Sequence, residues 1–381
     1  MGPRYDHLST AANAALRPGA PRLWAMTPEP RLTPEQVRGS VQATLDAFLA
    51  EQAGILADIS ADLVPFTAWL SDLVAGGKRL RPAFCVWAYL GSGGEDLESG
   101  LRAAASLEML QACALVHDDV MDDSDMRRGK PAAHRRFATM HRGSGWLGSA
   151  ERFGDGSAIL LGDLCLSWAD ELLYRSGFAP EELARAKVVY DRMRTELMAG
   201  QYLDLLEQAR GGGSIERAML VVRYKSAKYT IERPLHLGAV LAGADDAHVA
   251  ALSDYGLPLG EAFQLRDDVL GVFGDPEVTG KPAGDDLREG KRTLLVATAM
   301  AQATAEQAAH LREGLGDPHL GAAAIDEMRA IIRATGAVDE VEAVISTRTA
   351  AAIEALDRAD LSADARIALE QLAVAATARS L

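Results

Sequence analysis

From Pro34 onward apolar side chains recur three and four positions apart. Val37, Val41, Leu45, Phe48 and Leu49 form the first such stripe, and similar stripes continue almost to Leu381. That spacing is the period of an amphipathic helix. Alternating β-branched runs are scarce, while the good helix formers Ala, Leu, Glu and Arg dominate. The pattern predicts an all-α chain with few or no strands. Breaks are expected at Gly76-Gly77, Gly91 to Gly94, Gly143 to Gly156, Gly211 to Gly213 and Gly274 to Gly290. No segment repeats at a solenoid period, and no shift in composition marks a linker between domains. The expectation is a single large helical bundle over residues 34–381, of roughly ten helices or more. Residues 1–33, rich in Pro, Ala, Arg and Gly without a period, are expected to form a disordered tail.

Composition narrows the class. With 381 residues, 48% hydrophobic and 24% charged, the chain can bury a large core and still be soluble. A formal charge of −15 leaves no excess of Lys and Arg to displace counterions, which argues against nucleic acid as a partner. Cys85, Cys113 and Cys165 lie in apolar stretches without CxxC spacing, so they are expected to be buried thiols in a reducing cytoplasm. No run of 18 apolar residues is long enough to span a bilayer. The N-terminus shows no secretory h-region.

The chemistry concentrates in a few segments. In Leu115-Val116-His117-Asp118-Asp119-Val120-Met121-Asp122-Asp123, Asp118 and Asp122 share one helical face, and Asp119 and Asp123 form a second pair beside them. The apolar run before them puts these carboxylates at the C-terminal end of a buried helix, where like charges oppose the helix dipole. A hard divalent cation, shared with substrate phosphates, would relieve that cost. A second apolar helix leads into Asp267-Asp268, 149 residues after Asp118. Two such helices facing each other could hold metal ions between them. Cations are interleaved with these acids. Gly76-Gly77-Lys78-Arg79-Leu80-Arg81-Pro82 is a glycine turn with three basic residues, suited to gripping a diphosphate. Arg127-Arg128-Gly129-Lys130 follows the first acidic segment, and Lys225, Lys228, Lys281 and Lys291 are expected near helix ends or glycine turns.

Together GGKRLRP, HDDVMD with RRGKP, GQYLD, YKSA and FQLRDD followed by TGK resemble, in order and spacing, the signature set of trans-polyprenyl diphosphate synthases. The resemblance spans roughly residues 36–375. It implies an isoprenoid synthase-like all-α bundle with a central substrate cavity, usually a homodimer. The implied reaction is the Mg²⁺-dependent head-to-tail condensation of isopentenyl diphosphate with an allylic diphosphate. About three Mg²⁺ ions per site are implied, held by Asp118, Asp122 and Asp267, with Asp119 and Asp268 in the same catalytic set. Lys78 and Arg81 match the isopentenyl diphosphate grip, with Gly77, Gln111 and Arg128 beside it. Arg127, Lys225, Ser226, Gln264, Lys281 and Lys291 match contacts to the allylic diphosphate, Arg127 and Lys225 being counted catalytic. Gln201 and Asp204 match a further pair lining the cavity.

Three positions depart from the family pattern. Gly271 stands where a third Asp of the second motif is usual, Gln111 where many bacterial members have His, and the segment from Arg142 to Ser157 is long. His117 is a rival proton acceptor, disfavoured beside bound metal. Chain length is expected to depend on the helix leading to Asp118. Ala114, Cys113 and Leu110 lie on successive turns, Leu110 about 12 Å below the metals at 1.5 Å per residue. In the family, aromatic residues at the first two positions close the pocket early. Here both are small, with Trp168 a candidate floor, so geranylgeranyl diphosphate is the expected product and farnesyl or longer products are the alternatives. From another class, a non-catalytic subunit that modulates a partner synthase is the alternative.

Overall fold

Helix follows helix from Pro34 to Thr377, with one two-stranded hairpin among the described residues. The computed structural model describes residues 32–211, 213–275 and 284–377. The expected N-terminal tail up to residue 31 and Lys281 lie outside the described residues. The first half comprises α1 (Pro34–Ile59), α2 (Val64–Val74), α3 (Leu80–Gly91), α4 (Leu97–Met121), β1 (Met126–Arg127), β2 (Lys130–Pro131), α5 (Ala133–Gly143), α6 (Ala150–Tyr174) and α7 (Pro180–Arg210). Then come α8 (Ile215–Val221), a π-helical segment (Val222–Glu232), α9 (Arg233–Leu241), α10 (Asp246–Phe273) and α11 (Asp285–Arg288). The chain closes with α12 (Leu294–Gln302), α13 (Ala305–Gly314), α14 (Ala322–Ala334), α15 (Ala337–Arg358) and α16 (Ala363–Thr377).

Local chemistry sets many of these boundaries. Thr33 and Gln36 form a capping box before Pro34, and Asp96, Ser149, Asp245 and Thr293 cap α4, α6, α10 and α12 with their side chains. α4 is wrapped on all sides, burying Ala103, Leu107, Met109, Leu110, Cys113 and Val116. A helix apolar all round belongs in the centre of a bundle. α10 joins two apolar clusters. Its first half packs Leu252, Tyr255 and Leu259 into the large cluster around α1, α3, α4, α6, α7 and α9. Its second half packs Leu265, Val269 and Val272 against α12, α14 and α15. The acidic end of α10 therefore emerges where the two clusters meet.

Two expectations about breaks need correction. The interruption between Gly143 and Gly156 is shorter than expected, because α6 already starts at Ala150 and contains Gly154 and Gly156. A Cβ on Gly154 would lie 2.3 Å from the His134 carbonyl oxygen, so this glycine lets α5 and α6 close together and does not end a helix. Lys225 and Lys228, expected near helix ends, lie inside the π-helical segment, which joins α8 to α9 without a stop.

Candidate active site

α4 carries Asp118 and Asp119 in its last turn, Asp122 at its C-cap, and Asp123 in a left-handed conformation at φ 52°. Each carboxylate has a distinct neighbour. Asp118 Oδ1 accepts from Gln201 Nε2 at 2.9 Å and from Lys225 Nζ at 3.2 Å. Asp119 is buried and accepts from Arg127, whose Nε is 2.8 Å from Oδ1. Asp122 Oδ2 lies 3.8 Å from Lys291 Nζ, and Asp123 turns outward to Arg135 at 2.8 Å. Burial would raise Asp118, but Lys225, Lys291 and Arg127 outweigh it and hold the carboxyl below the usual range. Burial and then the Asp118 charge push Asp122 above that range. The two carboxylates thus titrate as an interacting pair.

The π-helical segment positions Lys225. A run of i→i+5 bonds is rare and marks functional sites more often than ordinary helix does. Two neighbouring helices press against this one through glycines. A Cβ on Gly200 of α7 would meet Lys225 N at 2.3 Å, and one on Gly260 of α10 would meet the Ala227 carbonyl oxygen at 2.6 Å. Clamped this way, Lys225 Nζ donates to Asp204 Oδ2 at 2.6 Å as well as to Asp118. Despite burial, those two carboxylates raise its pKa and keep it an ammonium. Ser226 is half-buried on the same segment.

The second acidic helix end is built differently. Asp267 faces solvent and Asp268 is buried, with its Oδ1 accepting from Gln264 Nε2 at 2.7 Å. Burial, and then the nearby Asp286 carboxylate, push Asp268 up to about 8. Lys291 links the two ends. Its Nζ lies 2.6 Å from Glu289 Oε2, 3.5 Å from Asp286 Oδ1 and 3.8 Å from Asp122 Oδ2. Ser124, just past the first motif, donates to Glu289 Oε1 at 3.0 Å and ties the same segments together.

The basic loop between α2 and α3 divides its labour. Arg79, one of three cations grouped by sequence, is buried, at φ 51°, and paired with Glu108, Gln42 and the Val74 carbonyl. It is a structural counter-ion. Lys78 is exposed, and Arg81 lies over the Tyr229 ring at 4.3 Å while Nη2 donates to Thr230 Oγ1 at 2.9 Å. Tyr229 in turn donates to Gln111 Oε1 at 2.8 Å. Arg128 and Gly129 have φ of 52° and 72°, the geometry of a two-residue hairpin turn between β1 and β2. That turn sends Arg127 to the carboxylates and Arg128 to the loop, where its guanidinium lies 3.5 Å from the Cβ position of Gly77 and Nη1 donates to the Leu73 carbonyl at 2.7 Å. Burial lowers the Arg128 pKa, and of its charged neighbours Glu108 opposes that while Arg79, Arg127 and Arg81 add to it. With Arg79 paired to Glu108 and Arg127 to Asp119, Arg81 and Arg128 are the guanidinium groups of this cluster that suit an incoming phosphate group.

Among the described residues, no group of three His, Cys, Asp or Glu side chains is already gathered around one point. Lys225 instead sits between Asp118 and Asp204, and Lys291 among Asp122, Asp286 and Glu289. The donor set nevertheless fits a hard divalent ion: it is all oxygen, and Asp122 Oδ1 is buried without a hydrogen-bond partner in a side chain only 2% exposed. His117 turns away from the carboxylates, with Nε2 3.0 Å from the Ile159 carbonyl oxygen and its ring against Gly162. Leu110 and Cys113 are fully buried, Ala114 is half-buried, and Trp168 meets Phe48 of α1 edge-on at 6.1 Å between ring centroids. An open cleft of about 690 Å³ lies elsewhere, at Ser92, His248 and Arg358, with none of these charged groups around it. Asp286, Glu289, Ser124 and Tyr229 were not singled out by sequence. The available signal was the Asp285-Asp286 pair shortly before Lys291.

Paired acidic helix ends, enclosed in a helical bundle and faced by two sets of cations, define a protein that handles diphosphates through divalent metal. The polyprenyl synthetase family model matches residues 65–332, and the chain belongs to that family of prenyltransferases, which elongate prenyl diphosphate chains. It is 34% identical to the short chain isoprenyl diphosphate synthase of Methanothermobacter thermautotrophicus over 318 residues, covering 82% of this chain and 90% of that protein. It is also 34% identical to the octaprenyl diphosphate synthase of Haemophilus influenzae over 280 residues, 73% of this chain and 78% of the relative. Among solved structures, the geranylgeranyl pyrophosphate synthase of Corynebacterium glutamicum, complexed with isoprenyl diphosphate and magnesium, superposes with a TM-score of 0.89 at 45% identity, covering 92% of this chain and all of that one. No described helix is long and apolar enough to cross a membrane.

Proposed function

We propose that this prenyltransferase condenses isopentenyl diphosphate head-to-tail with an allylic diphosphate and makes geranylgeranyl diphosphate. The observation that carries this reading is the presence of two cationic sites flanking one set of carboxylates. Lys78, Arg81 and Arg128, with Gln111 behind them, form a grip for isopentenyl diphosphate. Arg127, Lys225 and Lys291 face the acids and would take the allylic diphosphate, with Ser226, Gln264 and, from outside the described residues, Lys281. Asp118, Asp122 and Asp267 would hold magnesium, about three ions, which neutralises the charge growing on the departing diphosphate.

The residues of this chain then divide the work. Gln201 and Asp204 keep Asp118 and Lys225 in place. Lys225 and Arg127, charged and half-buried, already face the place where an oxyanion would form and would turn to it from Asp118 and Asp119 as the allylic C–O bond breaks. The double bond of isopentenyl diphosphate attacks the allylic cation, and the proton it loses passes to the released diphosphate. His117, turned onto α6, is not placed for that role. The prenyl chain grows along α4, where Ala114 and Cys113 leave room and Leu110 and Trp168 lie deeper.

The working unit would be a cytoplasmic homodimer of a single catalytic domain over residues 34–381. Exposed Leu160 on α6, and Val188 and Tyr202 on α7, supply apolar surface for the pairing. The two-site reading is tested by substrate-resolved kinetics. Lys78→Ala should raise KM for isopentenyl diphosphate alone, and Lys225→Ala should act on the allylic diphosphate and kcat. Both variants raising both KM values equally would contradict it.

A further inference from the structure

The turn between α2 and α3 is left-handed at Gly76 (φ 75°), Gly77 (φ 95°) and Arg79 (φ 51°). Two adjacent glycines have wide conformational freedom, so the course of such a turn has to be fixed from outside it. Gln42, 34 residues earlier on α1, reaches across to do so. Its Oε1 accepts from the Gly76 backbone N–H at 3.2 Å and from Arg79 Nη2. Its Nε2 donates to Asp46 Oδ1 at 2.8 Å, one turn further along α1. These partners settle which way the amide points, because two donors face one end and a carboxylate faces the other. Gln42 itself is half-buried, while Val41 and Leu45 beside it are fully buried and seat α1 without its help.

We propose that Gln42 is a positioning residue of the grip formed by Lys78, Arg81 and Arg128, its amide oxygen fixing the course of the Gly76-Gly77 turn. The inference rests on the assignment of that grip to isopentenyl diphosphate. Lys78 follows the two glycines directly, and the Cβ position of Gly77 is 3.5 Å from the Arg128 guanidinium. The path of the turn therefore sets how Lys78 stands relative to Arg128. Arg81 is held separately, by the Tyr229 ring and by Thr230. Lys225 and Arg127, on the other side of the carboxylates, make no contact with the turn's amide anchor. The effect of losing Gln42 belongs to one substrate.

The test uses the full chain. Isopentenyl diphosphate alone is titrated in a calorimeter, and steady-state rates are taken with geranyl diphosphate as the second substrate. Gln42→Leu, of similar size but without an acceptor, should weaken isopentenyl diphosphate binding about three- to ten-fold. Its KM should rise by the same factor, with kcat and the KM for geranyl diphosphate within about twofold of wild type. Amide deuterium uptake across residues 76–78 should quicken. Gln42→Glu/Asp46→Asn keeps an oxygen toward the turn and a donor toward residue 42, and should recover most of the affinity. Unchanged binding in Gln42→Leu, an equal rise in both KM values, or a double variant no better than Gln42→Leu would each overturn the proposal. So would a fall in kcat with the isopentenyl diphosphate KM unmoved, the mark of a merely structural role. Should Gln42→Leu fail to fold, Gln42→Asn withdraws the oxygen by one methylene, and normal binding there would overturn it too. Wild-type protein that does not bind isopentenyl diphosphate removes the grip assignment and this proposal with it. Wild-type binding that Gln42→Leu leaves intact removes the proposal alone.

Discussion

The two acidic helix ends do similar work with different construction. At the end of α4 the four carboxylates come from six consecutive residues, and each has a cation or amide assigned to it: Gln201 and Lys225 on Asp118, Arg127 on Asp119, Lys291 on Asp122, Arg135 on Asp123. At the end of α10 only Asp267 and Asp268 come from the helix, and the neighbouring Asp286 and Glu289 arrive from a later turn. A contiguous motif is specified by helical periodicity. The surroundings of the second end come from a later stretch of chain, after the turn at Gly284, and no helical period specifies them.

The largest effect should separate the ends directly. Asp118→Ala removes the carboxylate that accepts from Gln201 and Lys225 and would hold metal, and kcat should fall on the order of a hundred- to a thousand-fold. Asp267→Ala, at the exposed position of the second end, should cost less, about ten- to a hundred-fold. Steady-state assays at saturating Mg²⁺ would measure both, and equal losses would break the comparison.

Next comes the clamp on Lys225. Gly200→Ala places a methyl group 2.3 Å from a backbone nitrogen that cannot swing away. Thermal unfolding should show a loss of about 1–3 kcal/mol. The KM for the allylic substrate should rise, with that for isopentenyl diphosphate unchanged.

The electrostatics give a pH signature of the second end. Asp268, raised to about 8 from an ordinary 3.8, binds a proton in the folded chain that the unfolded chain has released. Metal-free stability should therefore fall as pH rises through the window between those values. Buried His236, pulled down to about 4, opposes this trend below pH 6.5, and Asp122, pushed up to about 7, adds to it below that value, so the range that reports Asp268 alone is about 7 to 8. The melting temperature of the metal-free chain should drop across that range, and Mg²⁺ with inorganic diphosphate should raise it more at the upper end. An increase without metal would contradict the arrangement.

The smallest effect belongs to the tie between the ends. Ser124→Ala removes one hydrogen bond to Glu289, worth about 1 kcal/mol. A calorimetric melt should register it while the product stays the same.

Much of this was legible in advance. The 3.6-residue period announced the helices, and spacing put Asp118 and Asp122 on one helical face and Asp267-Asp268 at the end of a second apolar helix, while the roles expected of them and of the GGKRLRP loop came from the family resemblance. What spacing could not show was which cations point inward. Arg79 and Arg81 are two residues apart in one basic loop, yet Arg79 is spent on buried Glu108 while Arg81 lies over Tyr229. The hidden participants share a cause. Asp286, Glu289 and Ser124 act through contacts across at least a dozen residues of chain, which no periodic pattern encodes. Gly154 misled for a related reason, since a glycine that admits a neighbouring helix is written in the sequence like one that ends its own.

The most direct test of the central claim is product sizing. Purified protein with Mg²⁺ and isopentenyl diphosphate would be given dimethylallyl, geranyl and farnesyl diphosphate in turn, and the dephosphorylated products separated by chain length. The account predicts one twenty-carbon product from each primer, lost in Asp118→Ala. No condensation with any primer by folded, metal-replete protein would contradict it and point to a non-catalytic subunit instead.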